Sequence, residues 1–144
     1  MHTVIDVANY FLWLDIENEG DGISNLKLQK LAYYTQGFYS ALYGKPLFPE
    51  HIEAWRYGPV VPSLYQQYKN NQDLPIGLSS DFNSNIFSKE EIDLLEEVYQ
   101  VFGQYSAWKL RDMTYGEAPW LDNEKNTTVI PLEELTRYFK ARLN

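Results

Sequence analysis

Asn25-Leu26-Lys27-Leu28-Gln29-Lys30-Leu31 opens the stretch whose reading decides the fold. Ser24 stands before it as a helix N-cap, and Leu28, Leu31, Ala32, Thr35, Phe38, Tyr39 and Leu42 then recur at the spacing of one helical face. Leu26, Tyr33, Tyr34 and Ala41 add apolar mass on other sides. A helix apolar over so much of its circumference lies centrally, packed against several neighbours. Gly44 can end it in the left-handed conformation, and Pro46 prevents continuation. The sequence therefore predicts a central helix near 24–43, with Leu28, Leu31, Phe38 and Leu42 buried.

Toward the N-terminus, Val4, Val7, Ala8, Phe11 and Leu14 mark a helix that Thr3 can cap and Gly20-Asp21-Gly22 breaks. Beyond Pro46 the helical period vanishes, and four prolines with Gly58 fill the interval to Pro62. Ile52 to Tyr57 reads as extended, giving a small β element near 51–57. Leu64, Tyr65 and Tyr68 suggest a short helix after Pro62, followed by a polar loop over 71–86. Ser88 and Glu91 form a capping box ahead of Ile92, Leu95, Val98, Tyr99 and Phe102, of which Ile92, Leu95, Val98 and Phe102 should be buried. Ser106 can cap a further helix carrying Leu110 and Met113, which Gly116 and Pro119 end before Trp120. Pro131 sits at a first helical position before Leu132, Leu135, Tyr138, Phe139 and Leu143. The fold class is mainly α, a single helical domain spanning 1–144.

The chain has 144 residues and no cysteine, so neither disulfides nor thiolate metal sites enter. Twelve basic residues against twenty acidic ones give a net charge of −8. That balance opposes binding to phosphate backbones and suits a basic protein partner, or simply solubility. Twelve Tyr and four Trp are rich in the side chains that serve protein interfaces as well as cores. No apolar run approaches the roughly 20 residues of a spanning helix, and Asp6 and Asn9 replace a basic leader start, so the expected location is cytoplasmic.

Signals for catalysis are sparse. Asp15, Glu17, Glu19 and Gly20 imitate the start of a calcium loop, but the twelfth position is Leu26 instead of a bidentate Glu. His51 and Glu53 would share a face of an extended segment, without the third and fourth ligands a metal needs. No nucleophile elbow or phosphate loop occurs. The expectation is no catalytic residue, no cofactor and no metal; a hydrolase using carboxylates or His51 is the alternative.

Two runs remain. Lys27, Gln29 and Lys30 interrupt the apolar central helix, and Lys30 has Leu26, Tyr33 and Tyr34 as helical neighbours. Trp55-Arg56-Tyr57-Gly58-Pro59 sets rigid aromatics beside an arginine at a turn. Each run admits two readings: a structural lock, or a surface for a partner built from Lys27, Lys30, Tyr34, Trp55, Tyr57 and Pro59.

The first run with Tyr33-Tyr34, then Leu42-Tyr43-Gly44-Lys45-Pro46-Leu47-Phe48, Glu53-Ala54-Trp55 and Tyr57-Gly58-Pro59-Val60-Val61-Pro62, resembles the Panacea-domain family of SocA-like antitoxins and phage-associated GepA-like proteins. Weaker likeness continues at Leu64-Tyr65, Ser106-Ala107, Leu110 and Pro119-Trp120. Members often carry Thr-His where this chain has Thr114-Tyr115, and some append a helix-turn-helix segment absent here. The resemblance implies an antitoxin that binds a cognate protein toxin directly. In one branch it implies a proteolytic adaptor that delivers the toxin to an AAA+ protease. Neither membrane nor direct nucleic-acid binding is expected, given the acidic balance and the short apolar runs, and the toxin and the oligomeric state stay open. A phage-related regulatory or structural module without a toxin is a further alternative.

Overall fold

The computed structural model describes residues 1–143 and is mainly helical, as the sequence predicts. Its described residues form seven α-helices: α1 (Val4–Glu17), α2 (Asn25–Tyr43), α3 (Pro62–Tyr68), α4 (Lys89–Phe102), α5 (Ala107–Thr114), α6 (Ala118–Leu121) and α7 (Leu132–Lys140). Strands β1 (Ile52–Trp55), β2 (Gly58–Val60) and β3 (Val129–Ile130) form an antiparallel sheet in the order β2-β1-β3.

Local chemistry starts the helices where the sequence places them. Thr3 with Asp6 and Ser88 with Glu91 form reciprocal capping boxes on α1 and α4. The Ser24 and Ser106 hydroxyls accept from the Lys27 and Lys109 amides at the starts of α2 and α5. Gly44 ends α2 at φ 70°, the left-handed cap. Pro131 is the extended N-cap of α7, one residue before the position the sequence suggests.

The core is organised around α2, which packs against α1, α3, α4, α5, α7 and β2. Leu28, Leu31, Ala32, Tyr33 and Tyr34 have no exposure, and Leu95, Val98 and Phe102 of α4 are buried. Gly37 lets α7 approach, because a Cβ there would collide with the Phe139 ring.

Four expectations need correction. Leu42 is 49% exposed, since it lies in the last turn of α2 beside an open groove lined by Phe38, Leu94, Val98 and Val101. Phe38 borders the same groove and is half-buried. Ile92 is also half-buried, because the buried stripe of α4 runs through Leu94, Leu95, Val98 and Phe102 and passes it at the first turn. Pro119 opens α6 instead of ending a helix; its missing N–H costs nothing in a first turn.

The extended segment near 51–57 is a hairpin: β1 turns at Arg56-Tyr57 into β2, with Glu53 opposite Val60 and Trp55 opposite Gly58. The two-residue strand β3 completes the sheet from far along the chain. The polar loop is strapped to α1 and to the α1–α2 connection, as the Ser79 amide donates to Asn9 Oδ1 and the Ile76 amide to the Ile23 carbonyl.

Candidate functional site: a clamped turn carrying exposed aromatics

β2 is an edge strand, and such an edge leaves backbone groups to be satisfied or covered. Pro59 has no N–H to offer, as suits an edge. The remaining groups are taken by side chains of α2. Lys30 Nζ donates to the Pro59 carbonyl at 3.0 Å, and Gln29 Oε1 accepts from the Val61 amide at 2.9 Å. Gln29 Nε2 donates to Asn25 Oδ1 at 2.8 Å, and Asn25 Nδ2 donates to the Tyr65 carbonyl at 3.2 Å. Three polar residues of the opening run thus hold β2 and α3 against the central helix, which explains why the two sequence blocks belong together.

Gly58 makes the close approach feasible. It sits at φ 105°, and a Cβ would lie 2.7 Å from Lys30 Cε and 2.8 Å from Thr114 Oγ1. Lys30 has no exposure; burial first, then the charge of Arg111, brings its pKa down to about 7.

The C-terminal helices hold the turn from the other side. Trp120 Nε1 donates to the Trp55 carbonyl at 2.7 Å, and the Tyr115 hydroxyl to the Arg56 carbonyl at 2.8 Å. The Tyr115 hydroxyl thereby closes the clamp from the C-terminal end of α5. Below, buried Glu117 accepts from the Tyr33 and Tyr34 hydroxyls, each at 2.8 Å, and from Arg142 Nη1 at 3.1 Å. Burial raises the Glu117 pKa against the opposing pull of those three donors.

The outer side of this clamp is aromatic. Tyr57 and Trp108 are 44% and 54% exposed, with ring centroids 6.0 Å apart in an edge-to-face pair. The Arg56 guanidinium lies 5.4 Å from the Tyr57 ring, and that of Arg111 4.6 Å from the Trp108 ring. Half-buried Trp55 packs edge-on against Tyr65 at 5.1 Å and donates from Nε1 to Glu53 Oε1 at 2.8 Å. The other Glu53 oxygen is 2.7 Å from His51 Nε2. The Trp55 bond, with help from His51, lowers the Glu53 pKa. A groove of about 450 Å³ runs beside the turn, bordered by Leu26, Trp55, Tyr57, Tyr65 and Trp108.

The six residues singled out in the sequence divide accordingly. Lys30, Tyr34 and Pro59 are enclosed and offer a partner no side-chain surface in this structure. Tyr34 stacks on Phe102 at 3.9 Å. Lys27 is half-buried, its Nζ donating to the Gly103 carbonyl at 2.7 Å, and burial lowers its pKa. Trp55 and Tyr57 border the groove. Sequence reasoning missed Trp108, Tyr115 and Glu117. For Trp108 a signal existed: the buried positions of α5 are Leu110 and Thr114, and a tryptophan off that stripe has no core to fill.

Among the described residues, no group of three His, Cys, Asp or Glu could hold a metal ion, and no helix is long and apolar enough to cross a membrane. What the arrangement can do is present rigid aromatic rings and arginines to another protein.

The chain belongs to the antitoxin SocA-like, Panacea-domain family, whose model matches residues 28–121. That span covers both halves of the clamp, from Leu28 through Gly58 to Trp120. The chain is 30% identical over 109 residues to the antitoxin SocA of Caulobacter vibrioides, strain NA1000 / CB15N. The match covers 68% of this chain and 58% of that relative, so the likeness spans little more than half the relative's length. No solved structure gives a significant match.

Proposed function

We propose that this chain is an antitoxin that neutralises a cognate protein toxin by binding it directly, without catalysis, through the face formed by Trp55, Tyr57 and Trp108. Family membership supports the antitoxin role. The observation that carries the binding mode is the exposed Tyr57–Trp108 pair over a turn hydrogen-bonded from both sides. Tyr, Trp and Arg dominate binding hot spots, and Tyr and Trp bring large area with few rotatable bonds. Rigidity beneath them lowers the ordering cost of association. Lys30, Gln29 and Asn25 set the position of the turn, and Trp55 and Tyr57 make the contact. His51 and Glu53 serve to orient Trp55, which is a better account of that pair than hydrolysis.

The test is growth rescue. Each small reading frame beside this gene is expressed alone and together with it. A product toxic alone and tolerated with this chain, which also co-purifies with it, supports the reading. Failure of every neighbouring product to show that pattern counts against it. Delivery to an AAA+ protease is a separable step: it predicts that the toxin's lifetime falls when this chain is present, whereas plain inhibition leaves the lifetime unchanged or longer.

A further inference from the structure

We infer that the groove beside the clamped turn takes an acidic protein segment, with one apolar side chain seated among Leu26, Trp55, Tyr65 and Trp108 and carboxylates meeting Arg56 and Lys69. This rests on the antitoxin reading and names the chemistry of the partner at the same site. Acids outnumber bases 20 to 12 in the chain, and composition alone points to a basic partner. The groove reverses that balance. Its charged lining is Arg56, Lys69 and Asp73, and none of the three is in an ion pair among the described residues.

Two charged groups on neighbouring residues already have partners. Both oxygens of Glu53 are held, by Trp55 and by His51. Arg111 is paired with Asp112 at 2.7 Å while its guanidinium covers the Trp108 ring. The unpaired charge lining the groove is therefore net positive, Arg56 and Lys69 against Asp73. A segment carrying Lys or Arg would meet Arg56 and Lys69 with only Asp73 to offset them, which selects against it. A carboxylate would gain charge-assisted hydrogen bonds to Arg56 while its apolar neighbour enters between the rings. The partner does not add a strand, because α2 side chains already occupy the Pro59 carbonyl of β2 and the Val61 amide just beyond it.

The experiment uses two labelled synthetic peptides, alike except for Glu or Lys on both sides of a central Leu-Phe pair, titrated by fluorescence anisotropy. The Glu peptide is expected to bind the full chain, and the Lys peptide to bind at least about tenfold more weakly. Arg56→Glu and Trp108→Ala should each weaken the Glu peptide by about tenfold or more, and Glu97→Lys, beside the distant α2–α4 groove, should not. Arg56 is an exposed turn residue, so its variant remains informative should Trp108→Ala fold poorly. Preference for the Lys peptide, equal binding of both, binding of neither, or indifference to Arg56→Glu overturns the inference. Growth rescue separates it from the broader reading. If both variants still neutralise a toxin that the wild type neutralises, the inference falls together with the place of Trp108 in the binding face, and the antitoxin role stands. If the wild type rescues from no neighbouring product, the antitoxin reading falls, and the peptides alone decide what the groove prefers.

Discussion

Replacing Lys30 by Met probes the buried amine that closes the sheet edge. Lys30 has no solvent exposure, one acceptor in the Pro59 carbonyl, and a pKa that burial brings from 10.5 to about 7. In the unfolded chain the same amine holds its proton up to about pH 10.4. Below about pH 7 both states are protonated, and the native state bears the full cost of a buried ammonium. Between those two values the unfolded chain binds one more proton than the native one, so this residue makes stability rise with pH. Each unit inside the window is worth about 1.4 kcal/mol, which gives about 2–3 kcal/mol between about pH 6 and about pH 9. Met keeps a long apolar stem and loses the donor, leaving the Pro59 carbonyl unpaired at a cost of about 1–3 kcal/mol that does not vary with pH. Urea unfolding of both proteins across that range isolates the effect, because every other titrating group is common to the two. The wild-type advantage over Lys30→Met should grow by about 2–3 kcal/mol from the acid to the alkaline end. A difference that stays flat would mean that the native amine remains charged throughout, and the argument from burial would be wrong.

Other perturbations test neighbouring parts of the clamp. Gly58→Ala places a Cβ against Lys30 and Thr114 at a positive φ, and backbone strain alone is worth about 1–3 kcal/mol. Thermal unfolding should show at least that loss, and an unchanged melting point would mean the turn is free to relax. Leu31→Ala removes a fully buried side chain from the centre of α2 and should cost about 2–5 kcal/mol in chemical denaturation. Glu117→Leu strands Arg142 and the Tyr33 and Tyr34 hydroxyls, for a loss of about 3–5 kcal/mol. Glu117→Gln retains one acceptor oxygen and offers an amide N–H to the other tyrosine hydroxyl, which can turn to accept, so it should lose clearly less; equal losses would show that the network does not depend on its hydrogen bonds.

The parts of this fold legible in the sequence are those whose causes are local. Thr3, Ser24, Ser88 and Ser106 cap from within three residues, and Gly44 ends α2 through its own backbone freedom. The burial of Leu28 and Leu31 follows from an apolar face with no solvent side. Leu42 lies on that same face, yet its exposure depends on where α4 and the C-terminal residues stop covering α2, which periodicity does not contain. The strand Val129–Ile130 is two residues long and exists only because Ile52 and Glu53 are there to pair with it. At the site, the sequence shows that Lys30 needs an acceptor but not that the acceptor lies 29 residues away. Trp108 reaches Tyr57 across an even longer separation, and Glu117 becomes a hub only once Tyr33, Tyr34 and Arg142 converge on it.

The account's central claim is that a rigidly supported aromatic face binds the partner. The affinity of Tyr57→Ala for the co-expressed toxin, measured by titration calorimetry where melting shows the variant folded, tests it most directly. Tyr57 is 44% exposed and leaves the Lys30 and Gln29 hydrogen bonds untouched, so melting should be nearly unchanged. The expected result is a loss of about 2 kcal/mol or more in binding. Wild-type affinity in a folded Tyr57→Ala protein would contradict the claim and move the partner surface away from this turn.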